Sequence, residues 1–347
     1  MEPVKLGIIG CGIAARELHW PALKKMADRF KIAVVCNHTE AKAKSFAELA
    51  GGAPYVLDYR DALARKDVEA VSIILPFGLN RRVTEDAVHA GKHVMMEKPI
   101  AASLDDAIEL VSLERNTGVK LMVAENFRYR PLYRRTAEII NQGTAGRVYG
   151  AIWNFFTDVT AGANIQYLNT KWRMDDAQYP GGFIIDGGVH ITAVIHDLFG
   201  EIVTVSGRTA CINDNAGKID TMLTNFTTKR GVVGSINQLY SSKGLRVNAL
   251  HIFGDKGSLV VDNYGDSITL FTPDSGPIVE TVDADRGYTG EYEDFFKAIR
   301  FGEPVVSTLE KAYRDYLALV KTMEAAASRI TISLEKNPAE SLFKVIH

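Results

Sequence analysis

Cysteine is scarce in this 347-residue sequence, and neither sign of charge is in excess. The three cysteines, Cys11, Cys36 and Cys211, are odd in number and far apart, so they have neither the spacing of a metal site nor that of a disulfide framework. The net charge of −2 gives no electrostatic attraction to nucleic acid or to an anionic membrane surface. We therefore expect no bound metal, no nucleic-acid partner and a reducing compartment.

Long hydrophobic runs are also missing. No apolar stretch approaches the length of about 18 residues that spans a membrane, and the first residues lead into a strand-like segment without the apolar region of a signal peptide. We therefore expect a cytoplasmic protein with no membrane partner. With 46% hydrophobic and 24% charged residues, the composition is that of a globular protein with a sizeable core, and the length favours two domains.

The first third of the chain alternates short apolar runs with helical patterns. The apolar runs lie at 4–9, 31–36, 70–75, 93–96 and 120–124. Strands that are apolar throughout are typical of a parallel sheet covered by helices on both faces. The sequence therefore predicts a doubly wound α/β domain of the Rossmann type, which binds dinucleotides, over residues 1–125.

The pattern changes after about residue 130. Strand-like segments then follow one another with turn residues between them, at 147–158, 202–211, 221–228, 232–240, 247–253 and 267–271. Consecutive strands joined by short turns favour antiparallel pairing, and helical patterns at 129–142, 288–301 and 308–328 accompany them. This predicts an α+β domain with a mainly antiparallel sheet over residues 126–347.

A glycine pattern, Gly10-x-Gly12-x-x-Ala15, lies between the first strand and the first helix. Glycines at this place allow a tight turn and let backbone N–H groups approach a pyrophosphate at the helix N-terminus. We therefore expect Gly10, Gly12, Ile13 and Ala14 to bind a dinucleotide. A tight turn without a ligand is the alternative interpretation.

The residues after the second strand bear on which dinucleotide is bound. NAD-binding proteins carry an acidic residue there to bind the ribose 2′-hydroxyl, but here no carboxylate occurs before Glu40. Asn37, His38 and Thr39 can instead donate hydrogen bonds to a 2′-phosphate, with Lys42 one turn further on, which favours NADP over NAD. The alternative is that Asn37 and His38 are solvated turn residues and that Glu40 binds the ribose.

Glu97-Lys98-Pro99 follows the strand at 93–96, at the sheet edge where α/β proteins bind their ligands. Proline fixes the backbone after the lysine, and a cis bond would turn the ammonium group inward. Lys98 can hydrogen-bond a substrate oxygen and stabilise the alkoxide charge that develops during hydride transfer. A solvated surface lysine is the alternative.

Gly182, Asp186 and His190 recur at intervals of four residues. If this segment is helical, the three residues share one face, and the glycines leave that face open to another molecule. A carboxylate beside an imidazole suits proton transfer near neutral pH. The alternative is that Asp186 and His190 cap a helix broken by glycines.

Together these motifs resemble the glucose-fructose oxidoreductase/inositol dehydrogenase/rhizopine catabolism (Gfo/Idh/MocA) family of NAD(P)-dependent oxidoreductases. The tail Tyr288-x-x-Glu291-x-x-x-Phe295-x-x-Ala298-Ile299-x-x-Gly302-x-Pro304 also resembles the closing helix of that family, so the resemblance covers nearly the whole chain. It implies that Lys98 is the active-site lysine, Asp186 a substrate-orienting carboxylate and His190 the general acid/base. It also implies that the second domain binds substrate and has an open sheet, through which the chain forms a homodimer or homotetramer.

The resemblance also marks residues that line the cofactor and substrate clefts. Many members carry Thr-Pro-Asn-x-x-His after the strand that ends here at Leu75, and this chain departs from that pattern, so Leu75, Pro76 and Asn80 match the cofactor contacts only loosely. Glu97 and Lys98 complete the implied cofactor site. The implied substrate contacts, besides Lys98, Asp186 and His190, are Asn126, Arg128, Trp172 and Arg173. Two interpretations of each arginine stay open, namely binding of a substrate anion and pairing with an acid of the protein. Trp172 is expected to be part of the core or of the cleft wall rather than catalytic.

The activity implied by the resemblance is hydride transfer between NADP or NAD and a carbon that bears a hydroxyl group in a sugar, a cyclitol or a related polyhydroxy compound. Two alternatives remain open: an NAD-dependent glycosidase of the same fold, and a non-catalytic nucleotide-sensing regulator. Lys98, Asp186 and His190 argue against the regulator, because a sensor needs to bind a nucleotide but not to transfer a proton. They do not exclude the glycosidase.

Overall fold

The computed structural model describes residues 2–161, 171–175 and 178–335, and the chain divides into two compact units. The first unit consists of Met1–Tyr129 and Arg286–Tyr313, and the second of Arg130–Asp285 and Arg314–His347. This differs from the expected division at 125/126, which assigned 286–313 to the second half. The reason is that Tyr292 and Phe295 belong to the same buried apolar cluster as Leu6 in the first strand.

The α-helices among the described residues are, in chain order, α1 (Trp20–Lys25), α2 (Glu40–Leu49), α3 (Tyr59–Leu63), α4 (Asn80–His89), α5 (Leu104–Arg115), α6 (Pro131–Asn141), α7 (Gly182–Phe199), α8 (Tyr288–Phe301) and α9 (Leu309–Ser328). A π-helical turn at Ala15–His19 precedes α1, and short 3₁₀ turns occur at Phe77–Leu79, Asn126–Tyr129, Lys171–Met174 and Asp214–Ala216. The helical segment after the glycine pattern is therefore divided between two helix types.

The first unit contains a six-stranded sheet in the order β3-β2-β1-β4-β5-β6, and every neighbouring pair is parallel. Its strands are β1 (Val4–Ile9), β2 (Phe30–Cys36), β3 (Tyr55–Val56), β4 (Ala70–Ile73), β5 (His93–Glu97) and β6 (Leu121–Ala124). The predicted Rossmann domain is thereby confirmed. The strand order reverses between β1 and β4, and the carboxyl ends at such a point are where ligands bind in this architecture.

The second unit contains a nine-stranded sheet in the order β14-β13-β12-β11-β7-β10-β9-β8-β15. Its strands are β7 (Val148–Phe156), β8 (Ile202–Ala210), β9 (Thr221–Thr228), β10 (Val233–Leu239), β11 (Val247–Gly254), β12 (Ser258–Asp262), β13 (Ser267–Thr272), β14 (Ser275–Thr281) and β15 (Ile332–Ser333). All pairs are antiparallel except β7 with β10. The predicted mainly antiparallel α+β domain is confirmed, with one parallel pair added.

One face of this sheet is covered and the other is open. In β9, Met222 and Phe226 are buried while Leu223 between them is 42% exposed, which is the alternation of a sheet with a single covered face. Helix α7 packs against β9 and β10. By length and mean hydropathy, 1.2, α7 could cross a membrane, but 72% of that window is buried inside the structure, as in a core helix.

Candidate active site

The glycine loop at the end of β1 needs its two glycines for different reasons. Gly10 has a φ of 104°, and a Cβ there would lie 2.1 Å from the carbonyl oxygen of Ile74, so only glycine fits. A Cβ on Gly12 would meet no protein atom within 4 Å. Bare backbone at Gly12 therefore leaves room for a ligand at the start of the helical segment, as a pyrophosphate requires.

Asn37 braces this loop. Its Oδ1 accepts a hydrogen bond from the Cys11 N–H at 3.1 Å, and its Nδ2 donates to the Thr39 carbonyl oxygen at 3.3 Å. The side chain is buried, and both ends of its amide are used within the protein. Asn37 therefore shapes the loop, and the expectation that it donates to a 2′-phosphate is less well supported than the same expectation for His38.

A cavity of about 340 Å³ opens beside the ends of β1, β2 and β4. Of the predicted residues, Gly10, Asn37, His38 and Leu75 line it. Nine further lining residues were not predicted, namely Ile9, Cys36, Leu57, Asp58, Tyr59, Arg60, Leu79, Arg82 and Val83. The sequence carries little signal for residues 57–60, because they follow β3, which has only two residues, neither of them buried. The position of β3 in the sheet is what brings them beside the cavity.

Asp58, Tyr59 and Arg60 form the start of α3 on one wall of the cavity. Asp58 is the N-cap, and its Oδ1 accepts from the Arg60 N–H at 2.9 Å. The Arg60 guanidinium lies over the Tyr59 ring, 4.8 Å from its centroid. With Arg82 on another part of the lining, the cavity is lined by two guanidinium groups and one carboxylate.

Lys98 directly follows β5, and its peptide bond to Pro99 is cis. Asn80 holds the backbone on both sides of it: the fully buried Nδ2 donates to the carbonyl oxygen of Glu97 at 2.7 Å and to that of Pro99 at 2.9 Å. These two hydrogen bonds give Asn80 a positioning role for this segment, and its expected contact with the cofactor stays a prediction. Pro76 precedes the 3₁₀ turn Phe77–Leu79 that leads to Asn80.

A cluster of buried ionisable groups surrounds the residue before Lys98. His19 Nε2 lies 2.7 Å from Glu97 Oε1, and His19 Nδ1 lies 3.0 Å from the Tyr292 hydroxyl. Glu125 and Glu291 are buried in the same region. Burial, and then the charges of Glu97 and Glu125, raise the pKa of Glu291 well above its ordinary value. None of the groups His19, Tyr292 and Glu291 was predicted as part of the site.

Asn126 and Arg128 lie in the 3₁₀ turn after β6, and both are buried. The Asn126 Nδ2 donates to the carbonyl oxygen of Arg286 at 2.6 Å. Asn126 therefore fixes the segment through which the chain returns to the first unit. The expected contact of Asn126 with substrate stays a prediction.

In the second unit, Asp186 and His190 lie one turn apart on α7, so the predicted helix is confirmed. The expected reason for its glycines is wrong, because they meet protein rather than open space. A Cβ on Gly182 would lie 2.7 Å from the Arg173 carbonyl oxygen, and one on Gly187 would lie 2.1 Å from the Tyr240 hydroxyl. These glycines let α7 approach its neighbours closely, which fixes where the two polar side chains stand.

Asp186 is held by Arg173. The arginine Nε donates to Asp186 Oδ2 at 2.8 Å, and both side chains are largely buried. The guanidinium also lies over the Trp172 ring at 4.0 Å, and Trp172 packs edge-on against Tyr179 at 4.9 Å between ring centroids. Of the two interpretations of Arg173, the pairing with an acid of the protein is the one that the structure contains, and Trp172 is the wall behind it.

Within the described ranges, 2–161, 171–175 and 178–335, no group of three or more His, Cys, Asp or Glu residues is placed to hold a metal ion.

Comparison with known proteins agrees with both units. Residues 4–125 match the model of an oxidoreductase family with an NAD-binding Rossmann fold, and residues 133–260 match the model of the GFO/IDH/MocA C-terminal domain. An uncharacterized Saccharomyces cerevisiae protein is 34% identical over 76% of this chain and 75% of its own. A dTDP-3,4-didehydro-2,6-dideoxy-α-D-glucose 3-reductase from Actinomadura kijaniata is 27% identical over 88% of this chain and 89% of its own.

Two solved structures have the same fold over nearly the full length. An oxidoreductase from Thermotoga maritima superposes with a TM-score of 0.88 at 30% identity, covering 98% of this chain and 99% of its own. A levoglucosan dehydrogenase in complex with NADH and levoglucosan superposes with a TM-score of 0.86 at 22% identity, covering 96% of this chain and 100% of its own.

Proposed function

Because the chain belongs to the Gfo/Idh/MocA oxidoreductase family, we propose that it transfers a hydride between a nicotinamide dinucleotide and the hydroxyl-bearing or keto carbon of a sugar, cyclitol or related polyhydroxy compound. The dTDP-sugar reductase among its relatives supports the sugar class. The residues that we assign to the chemistry are Lys98, Asp186 and His190.

The observation that carries this proposal is the carboxyl edge of the sheet in the first unit. The cavity beside Gly10 lies at the ends of β1, β2 and β4, and Lys98 lies at the end of β5. Since β4 separates β1 from β5, the strand that carries the glycine loop and the strand that carries the lysine are about 10 Å apart. This spacing suits a dinucleotide whose phosphates bind at β1 and whose reactive ring extends toward β5.

The roles of the side chains follow from the balance of the reaction. When an alcohol is oxidised, its C–H bond breaks with loss of hydride, its O–H bond breaks with loss of a proton, and a C=O bond forms. The nicotinamide, when bound, supplies the group that accepts or returns the hydride. Lys98 donates a hydrogen bond from Nζ to the reacting oxygen, which offsets the negative charge that develops there. His190 accepts the hydroxyl proton at a ring nitrogen and returns it in the reverse direction.

Asp186 has a supporting part in this scheme. Its carboxylate is fixed by the Arg173 Nε–H at 2.8 Å, and in this proposal it orients a substrate hydroxyl or His190. An unpaired aspartate on a helix would sample several rotamers, and the ion pair restricts them. We therefore assign Arg173 to the positioning of Asp186 rather than to direct binding of a substrate anion.

A first experiment tests the reaction itself. Purified protein is screened with aldoses, cyclitols, their keto forms and levoglucosan, with NADP⁺/NADPH and NAD⁺/NADH in parallel, and cofactor absorbance is followed. Turnover in wild type that is lost in Lys98→Met supports the proposal. Release of nitrophenol from a nitrophenyl glycoside without net cofactor turnover would instead favour the glycosidase, and tight cofactor binding without any turnover would favour a nucleotide sensor.

We further propose that NADP is preferred over NAD. The cavity wall carries His38, Arg60 and Arg82, and β2 ends without a carboxylate. A guanidinium binds a phosphate through two parallel hydrogen bonds, so Arg60 and Arg82 suit a 2′-phosphate. Asp58 is the carboxylate on this wall, and its Oδ1 accepts from the Arg60 backbone, which makes it a weaker candidate for binding ribose hydroxyls.

The cofactor preference is tested by fluorescence titration of NADPH and NADH. Arg60→Ala and Arg82→Ala are expected to weaken NADPH binding by about 10-fold or more, the loss of a charged hydrogen bond, and to leave NADH binding nearly unchanged. Arg65→Ala is the matched control, because Arg65 lies on the surface and pairs with Asp67 at 2.7 Å. Equal losses for the two cofactors, or tighter binding of NADH by wild type, would contradict the proposal.

For assembly we propose a homodimer or homotetramer formed through the open face of the second unit's sheet. Ile152, Leu223 and Val233 are exposed by 36%, 42% and 55% on strands β7, β9 and β10. Burying these side chains against a second copy would remove apolar surface from water. Light scattering of Leu223→Asp tests this: a shift to monomer is expected, and an unchanged mass would exclude this face.

A further inference from the structure

His19 occupies the last position of the π-helical turn that follows the glycine loop. A π turn inserts an extra residue into a helix and is frequent at functional sites. Here His19 is only 1% exposed. Its ring meets Tyr288 and Tyr292 edge-on, with centroid distances of 5.3 and 5.8 Å. A polar side chain so deeply buried requires partners at both ring nitrogens.

Hydrogen bonds supply those partners. His19 Nε2 is 2.7 Å from Glu97 Oε1, His19 Nδ1 is 3.0 Å from the Tyr292 hydroxyl, and that hydroxyl is 3.2 Å from Ser72 Oγ. An ionised carboxylate only accepts, so the His19 Nε2–H donates to Glu97. A neutral imidazole then accepts at Nδ1 from Tyr292, whose oxygen accepts from Ser72.

All four groups are satisfied when the donors run in this one direction. Burial raises the pKa of the Tyr292 phenol, so that the hydroxyl keeps its proton and can donate. We call this chain of hydrogen bonds, Ser72–Tyr292–His19–Glu97, the buried relay. It ends on the residue that is bonded to Lys98.

The surroundings make the last hydrogen bond of the buried relay important. Glu97, Glu125 and Glu291 are three acids in one buried region, and the charges that face Glu291 from the neighbouring elements are those of Glu97, Glu125 and Lys98. Neither carboxyl oxygen of Glu291 has a hydrogen-bond partner among the described residues. Burial in this region disfavours a charged carboxyl group, and the hydrogen bond from His19 favours the charged form of Glu97.

We propose that His19 is a positioning residue for Lys98: through the buried relay it fixes the Glu97 carboxylate at the end of β5, and that anion supports the Lys98 ammonium group. This inference rests on the proposed role of Lys98 in hydride transfer. Asn80 fixes the backbone of the same segment, whereas His19 fixes the side chain of Glu97 and stabilises its charge.

The test uses the whole enzyme with the best substrate of the polyol and keto-sugar screen. His19→Leu removes the donor, and His19→Gln retains an N–H that can reach Glu97. We expect kcat of His19→Leu to fall by about 10- to 100-fold, the cost of misplacing a catalytic group, while the dissociation constant of NADPH changes little. We expect His19→Gln to recover most of kcat, and His89→Leu, at an exposed histidine of α4, to match wild type.

The pH profile separates positioning from mere structure. In this proposal, loss of the Glu97 anion makes the Lys98 ammonium lose its proton more readily, so we expect the alkaline limb of kcat to move to lower pH in His19→Leu but not in His19→Gln. If His19 only maintains the fold, both variants lose thermal stability, and kcat per folded enzyme and the alkaline limb stay where they are. That result would overturn the proposal.

Two further measurements keep the outcome decisive. Nitrogen-15 NMR of histidine-labelled, cofactor-free protein, which has eight histidines, reports the tautomer of His19, assigned by its absence in His19→Gln. We expect the Nε2–H form, and an Nδ1–H form would overturn the buried relay. If His19→Leu does not fold, Tyr292→Phe replaces it: it removes the hydroxyl that fixes the tautomer, and an unchanged tautomer with unchanged kcat would count against the proposal.

Failure of this inference can be distinguished from failure of the proposed function. Turnover that persists in Lys98→Met would remove the proposed function and this inference with it. Turnover lost in Lys98→Met but unchanged, with an unmoved alkaline limb, in His19→Leu would leave the function in place and remove only the role of His19.

Discussion

Replacing Glu291 with glutamine is expected to make the stability of the protein less dependent on pH. Glu291 lies on α8, is fully buried, and has no hydrogen-bond partner for either carboxyl oxygen among the described residues. Burial, with smaller contributions from the charges of Glu97 and Glu125, raises its pKa well above the ordinary value of 4.5, and the Lys98 charge opposes this only in part. The native protein therefore keeps a proton on Glu291 to a higher pH than an ordinary glutamate does.

The sign and size of the effect follow from proton binding. Above its ordinary pKa of 4.5, Glu291 is ionised in the unfolded chain but keeps its proton in the native state. Stability is thus greatest at low pH and falls as pH rises, by about 1.4 kcal/mol for each pH unit while the native group stays protonated. Measured from about pH 5.5 to about pH 8.5, the loss accumulates at this rate for as long as the native carboxyl group keeps its proton. Glutamine has a similar shape and no proton to lose, so it removes this slope.

Urea denaturation followed by circular dichroism across this pH range measures the slope. The free energy of unfolding of Glu291→Gln should rise relative to wild type by about 1.4 kcal/mol per pH unit. Glu303→Gln, at an exposed carboxyl group of the same unit, is the control for loss of a surface charge. Parallel curves for wild type and Glu291→Gln would refute the reasoning, because they would mean that Glu291 is ionised in the native protein.

Three further predictions concern the proposed catalytic residues and the proposed nucleotide site. Lys98→Met and His190→Ala should abolish turnover in the cofactor-coupled assay and change the NADPH dissociation constant by no more than severalfold; loss of folding in both would contradict their catalytic assignment. Asn37→Asp keeps the acceptor for the Cys11 N–H but adds an anion at the cavity, so the NADPH/NADH affinity ratio should fall, and an unchanged ratio would count against 2′-phosphate binding. Gly10→Ala should cost at least about 1–2 kcal/mol in thermal denaturation, because its Cβ would meet the Ile74 carbonyl oxygen at 2.1 Å; a smaller loss would show that the loop can relax.

The sequence predicts this fold well where a residue's burial follows from its own strand. The strands of the first unit are apolar throughout because both faces are covered, and β9 was predicted at its observed bounds, Thr221–Thr228, because its residues alternate between a covered and an open face. Strand β14 was missed because nearly all of its residues are exposed at the sheet edge, and its Gly276 and Pro277 resemble a turn. Its pairing with β13, and not its composition, makes it a strand.

The candidate site is predicted less completely, because its supporting residues come from distant parts of the chain. The glycine loop and Lys98 stand beside recognisable strands, and Asp186 with His190 has a helical spacing. Arg60 could be recognised as a residue of the cavity lining only after β3 was placed at the edge of the sheet. The hydrogen-bond partners of His19 are 78 and 273 residues away in sequence, so no local pattern distinguishes it from an ordinary polar residue of a helix.

Asn80 and His19 both act on the segment that carries Lys98, the lysine that we propose to stabilise the reacting oxygen. A long, flexible side chain at a strand end would normally sample many conformations, and ordering it costs conformational entropy. Two buried donors from different helical segments act on the short stretch that carries it: Asn80 fixes the carbonyl groups of Glu97 and Pro99, and His19 fixes the Glu97 carboxyl group. Because both donors are buried, neither can exchange its partner for water without leaving a polar group unsatisfied. The cost of ordering the segment is therefore met during folding, before any substrate binds, which is the preorganisation that stabilisation of a developing alkoxide requires.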